Sequence, residues 1–180
     1  MIELRKTSGA VAGKTLSGYA VLWDTPSVTI HERGRTFVET IKRGAFDRSL
    51  AEGKTDVKLL YQHQGSQILA RTRNDSLRLS QDERGLKFEA TLPDTTLGSD
   101  VRELLTSGTL SGEMSFGFSA VKDSWTQGNS RREVLQADLF ELSVVIDAAY
   151  PQTSAALRSQ GDDNWADQLR IRICRNRLNG

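Results

Sequence analysis

The chain has 180 residues, 37% of them hydrophobic and 26% charged, with a formal net charge of +1. That is ordinary for one soluble domain able to bury its own core, and it points to no nucleic acid and no membrane as partner. A single cysteine, Cys174, excludes an intrachain disulfide, and one cysteine with two histidines cannot build a zinc site from those residue types alone. No run approaches the roughly 18 apolar residues of a membrane span, and MIELRKTSGA lacks the apolar region of a secretory signal, so a cytoplasmic protein is the expectation. There is no H-E-x-x-H, C-x-x-C, P-loop or G-x-G-x-x-G. Hydrolytic chemistry here would use neither metal nor cofactor, and His31 and His63 are the natural bases near neutral pH.

In chain order, strands are predicted over residues 16–23 and 36–41, a short helix near 44–51, and a strand over 57–62. Leu77-Arg78-Leu79 and 86–92 alternate apolar and polar about the turn residues Asp82-Glu83-Arg84-Gly85, which predicts a hairpin. A second helix is expected from Ser99 as N-cap, with Asp100 in its first turn, Val101, Leu104 and Leu105 as its apolar stripe, and Gly108 as its stop. Further strands are predicted over 114–121, 133–137 and 139–146, with 125–132 as a polar hairpin loop around Gly128-Asn129. So many strands with few helices suggest an α+β fold, a mixed β-barrel flanked by a few helices. Residues 168–180 carry four arginines and no acid. A solvated helix or frayed tail is the plainer reading of that stretch, and a docking or processed segment the sharper one.

Three residues could carry chemistry. Val57, Leu59 and Tyr61 share a strand face that His63 would continue, at the edge of a loop turned by Gln64-Gly65-Ser66. A histidine bonded to backbone is the plainer alternative, and His31 lies in a charged stretch that looks like an exposed loop. Alternation over Met114–Phe118 puts Met114, Phe116 and Phe118 on one face and Ser115, Gly117 and Ser119 on the other. An apolar face would hold the strand while Ser115 points away from it, with Gly117 leaving room for a substrate backbone. A solvent-facing strand serine is the common alternative, and G-x-x-S-x-G is not the α/β-hydrolase elbow. Glu141 is an acid inside the apolar strand LFELSVV. It needs a partner there, and could orient His63 and stabilise its charged form. An edge-strand acid facing water is the alternative, and Asp138 is a second candidate for the role. The oxyanion donors are not identified by pattern; Arg131 and Arg132 are a guess.

The segments SGYAVLWDTPS, GAFDRSL, LLYQHQGSQILART, LTSGTLSGEMSFGF and LFELSVVIDAAYPQTSA occur in an order that resembles the prohead serine proteases of tailed bacteriophages. That family is thought to share its fold with herpesvirus assembly proteases. The resemblance spans most of residues 16–156 and implies His63 as catalytic base, Ser115 as nucleophile and Glu141 as third member. Two positions depart from the pattern: Ala70 stands where a glycine is expected, and Asp147 where a proline often precedes the alanine. The resemblance further implies a serine endopeptidase inside the assembling prohead, in the host cytoplasm. It would cleave the scaffolding segment of the major capsid protein, and often itself, with self-association as a means of activation. Residues 1–160 would be the protease domain and 161–180 a basic tail or helix open to processing. Two other readings stand beside this one: a catalytically inactive, scaffold-binding β-barrel module, and an unrelated small-ester hydrolase.

Overall fold

A computed structural model describes residues 13–32, 34–51, 55–126, 128–146, 148 and 154–158. Its elements are β1 (Thr15–Leu22), β2 (Ile30–Glu32), β3 (Arg35–Ile41), α1 (Asp47–Ala51), β4 (Lys58–Tyr61), β5 (Ile68–Arg71), β6 (Leu77–Gln81), β7 (Gly85–Thr91), α2 (Thr96–Ser107), β8 (Glu113–Thr126), β9 (Arg131–Val145) and β10 (Ser154–Arg158). This is an α+β fold of mostly strands. The four-stranded sheet runs β10-β1-β7-β6, and the six-stranded sheet runs β2-β3-β9-β4-β5 with β8 also paired to β9. Among the described residues no ladder joins the two sheets, so the α+β class and the mixed pairing expected from the sequence are present and strand pairing closes no barrel.

One apolar core lies between them. Leu16 and Ala20 of β1, Leu86 and Phe88 of β7, Met114 and Phe116 of β8, and Leu139, Leu142 and Val144 of β9 are all buried. Phe46 stands edge-on to Phe116 and to Phe118, with ring centroids 6.3 Å apart in each pair. Each large side chain buried here contributes about 1.5–3 kcal/mol, which fixes β8 and β9 by their inward faces.

β9 is the strand on which the site is built. One of its edges takes β8 along its whole length. The other takes β3 in parallel opposite residues 131–134 and β4 in parallel opposite residues 141–144. The stretch between is closed by the chain entering α1: the Ala137 N–H donates to the Ala45 carbonyl, and the Leu139 N–H to Ser49 Oγ. These buried backbone donors thus find partners where no strand reaches them.

The observed elements differ from the sequence expectation in four places. The strands predicted over 133–137 and 139–146 are one strand, because Asp138, the charge that split them, is paired with Arg48 of α1. The loop predicted over 125–132 is shorter, since Trp125 pairs with Arg132, whose guanidinium lies 5.5 Å from the Trp125 ring centroid. α2 begins earlier than Ser99: the Thr95 hydroxyl accepts from the Gly98 N–H at 3.2 Å. The close approach of the Pro93 carbonyl there leaves no room for a Cβ on residue 98. β2 and β10 were not anticipated, and His31 belongs to β2 rather than a loop, exposed, with Nδ1 3.1 Å from Thr36 Oγ1. The predicted stop holds: Gly108 caps α2 at φ 75°. Residues 159–180, with the arginine-rich stretch, lie outside the described residues, as does Asp147.

Candidate active site

His63 sits just beyond β4. Tyr61, Gln62, His63 and Gln64 form a β-turn in which the Gln64 N–H donates to the Tyr61 carbonyl at 3.1 Å, and both central residues have positive φ, 53° and 58°. A second turn follows at once, with the Gln67 N–H donating to the Gln64 carbonyl. Left-handed backbone is uncommon outside glycine, although histidine tolerates it better than branched residues do. This turn overturns the expectation that His63 continues the face of Leu59 and Tyr61. Those two stand opposite Leu142 and Val144 on the core side, whereas the His63 ring makes its contact on the other side of the sheet.

That contact is with Glu141. His63 Nδ1 and Glu141 Oε1 are hydrogen-bonded, the imidazole about half exposed and the carboxylate largely covered. Glu141 lies in register with Lys58 of β4 on one side and Gly117 of β8 on the other. Its Oε1 also accepts from Ser143 Oγ at 2.9 Å. A carboxylate on this strand face therefore has two donors aimed at one oxygen, as a covered acid requires.

Ser115 lies on β8 directly opposite Ser143. Paired residues of an antiparallel ladder share a face, with Cβ atoms about 4.5–5.5 Å apart. Ser115, Gly117, Glu141 and Ser143 thus line one side of the sheet while Met114 and Phe116 fill the core on the other, as the alternation predicted. Ser115 is partly exposed and Ser143 wholly buried. No hydrogen bond joins Ser115 to His63 among the described residues. The two reach the same patch from opposite edges of β9.

Phe140 belongs to this patch and was not anticipated. The β8–β9 register slips between Gly117 and Phe118, which pair with Glu141 and Leu139, so Phe140 is the extra residue of a bulge. Its ring is 46% exposed and lies over Gly117, where a Cβ would come within 2.7 Å of Phe140 Cε2. The space beside Gly117 is filled by Phe140 and is not the open approach expected for a substrate backbone. Glu113 completes the neighbourhood: on β8, two residues before Ser115, its carboxylate accepts from the Ala148 N–H at 3.0 Å.

Asp138 and the Arg131–Arg132 pair are not brought into the site. Asp138 is held by Arg48. Arg132 bridges Glu39 and Asp123, nine residues from Glu141 along β9, or ~30 Å at the usual strand rise. That separation removes the arginine pair as oxyanion donors. Ala70 is buried in β5 against the core. Among the described residues no group of three or more His, Cys, Asp or Glu could hold a metal ion, and no helix is long and apolar enough to cross a membrane.

Comparison with known proteins gives one result of weight. The model of the caudovirus prohead serine protease family matches residues 1–167. Among curated proteins nothing matches.

Proposed function

The chain belongs to the caudovirus prohead serine protease family, a capsid-maturation protease on that ground, and we propose that Ser115, His63 and Glu141 are its nucleophile, base and orienting acid. The observation that carries the assignment is the His63–Glu141 hydrogen bond on the sheet face that also bears Ser115. With Nδ1 engaged by the carboxylate, Nε2 is the nitrogen left to take a proton. Exposure separates the two serines: Ser143 is sealed under its neighbours, whereas Ser115 can be reached.

In this reading Ser115 Oγ attacks a backbone carbonyl as His63 Nε2 takes the hydroxyl proton. Glu141 fixes the ring and stabilises the imidazolium that forms. His63 returns the proton to the leaving amine, and the acyl-enzyme is cleared when water repeats the sequence with His63 again as base. The substrate is the scaffolding segment of the major capsid protein, and the enzyme also trims its own basic C-terminal stretch. The site of action is the interior of the assembling prohead. A fold related to that of the herpesvirus assembly proteases goes with this reading, and the packing of two sheets around one core supports it.

The test is co-expression with the cognate major capsid protein, wild type against Ser115→Ala, read by intact mass. A capsid protein shortened only by the wild type supports the reading. Shortening by both overturns Ser115 as nucleophile. An unshortened capsid protein with both, repeated in assembled proheads, would leave a scaffold-binding module in place of an enzyme.

A further inference from the structure

Ser143 has no part in the acyl-transfer steps above, yet it is a fully buried hydroxyl in an otherwise apolar stretch of β9, between Leu142 and Val144. An alanine or valine would satisfy that position by hydrophobic burial alone, and a buried hydroxyl without a partner is destabilising by about 1–3 kcal/mol. Its partner is specific. Ser143 Oγ donates to Glu141 Oε1 at 2.9 Å, the same oxygen that His63 Nδ1 engages. The i, i+2 spacing puts both side chains on one face, so the bond draws the carboxylate along the strand toward residue 143, the position opposite Ser115.

We propose that Ser143 is a positioning residue. Its hydroxyl fixes the rotamer of Glu141 so that Oε1 meets the His63 ring over the Ser115–Ser143 pair. This deepens the catalytic reading above and rests on it for its effect on rate, but the link from Ser143 through Glu141 to His63 stands on geometry alone. Without the bond, Glu141 could turn toward Lys58, its register partner on β4. The other carboxylate on this face, Glu113 of β8, is held by the Ala148 N–H. Lys58 is therefore the charge that competes for a freed Glu141.

Two measurements separate this from a merely structural serine. The first is the low-field proton resonance of the His63 Nδ1–H, recorded on full-length Ser115→Ala protein so that self-cleavage does not interfere. Adding Ser143→Ala should shift or broaden that resonance, and Ser143→Thr, which keeps the hydroxyl, should restore it. The second is cleavage of purified capsid protein: Ser143→Ala should lower kcat roughly tenfold, a part of what general-base catalysis contributes, with little change in KM and recovery in Ser143→Thr. An unchanged resonance in a folded Ser143→Ala protein overturns the proposal, as does a shifted resonance with unchanged kcat. If the wild-type protein cleaves nothing, the resonance still tests the link, and the failure belongs to the catalytic reading.

Discussion

His63 contacts Glu141 although the β4–β9 register, continued past Tyr61 and Val144, would carry residue 63 opposite Ile146. The difference is five strand positions, ~16 Å. The left-handed turn at Gln62 and His63 recovers part of it, and Glu141, leaning toward Ser143, recovers more. Imidazole and carboxylate meet because one strand stops early and the side chain of the other points ahead.

Replacing Glu141 by Gln should leave the fold intact and lower the rate of capsid-protein cleavage by roughly 10²–10⁴, since a neutral amide neither fixes the imidazole tautomer nor stabilises its charge. Asp138→Asn is the control. Its exposed pairing with Arg48 is worth about 0–1 kcal/mol, so cleavage should stay near wild type. Equal losses in both variants would return Asp138 to the role.

Gly117→Ala should push the Phe140 ring and the Glu141 Cβ away from β8, at a cost of about 1–3 kcal/mol in a urea melt. Phe140→Ala opens the space. The double variant should be more stable than the sum of the single changes, with a coupling of about 0.5–3 kcal/mol. Strict additivity would show that Phe140 does not rest on Gly117 in solution.

Gln62→Gly should raise the thermal midpoint. Glycine relieves a left-handed residue that costs an L side chain about 1–2 kcal/mol, and it removes a buried amide nitrogen without a hydrogen-bond partner. The gain is reduced by the greater freedom of glycine in the unfolded chain. A lower midpoint would mean that the amide holds the loop.

Stability should fall as pH drops through the acid range, in part through Asp82. Burial works to raise its pKa, but hydrogen bonds from Tyr19 Oη and the Arg84 and Gly85 N–H groups, with the charge of Lys87, carry it below the ordinary value of 3.8. A folded-state pKa below the unfolded one stabilises the protein above the unfolded value, and that contribution is lost as pH falls through the folded one. Asp82→Asn should therefore flatten the acid limb of a stability-against-pH curve, and an unchanged limb would count against it.

The alternation around Ser115 and the acid inside LFELSVV were legible because strand period and charge burial leave marks in composition. The site's other half was not. Period two, carried from Tyr61 to His63, put the ring on the core side, and two successive left-handed residues without glycine have no sequence signature. Asp138 falls between the strands predicted over 133–137 and 139–146, and its partner Arg48, 90 residues away, leaves no local mark that one strand runs through it. Phe140 was passed over because a bulge alters phase without altering composition. Ser143 stood in view in the same motif, and only the burial of its hydroxyl marks it out.

The long central strand also governs when the residues of this patch can meet. Residues 63 and 115 are both synthesised before β9, and the strand that joins them, with the acid at residue 141, follows both. The bond to Glu141 closes 78 residues of sequence, and parallel pairing of β4 with β9 is a non-local step of the kind that forms slowly. A nascent chain that has reached only β8 holds a serine and a histidine with nothing to bring them together. Translation order thus leaves the proposed set of Ser115, His63 and Glu141 unassembled until β9 has been made.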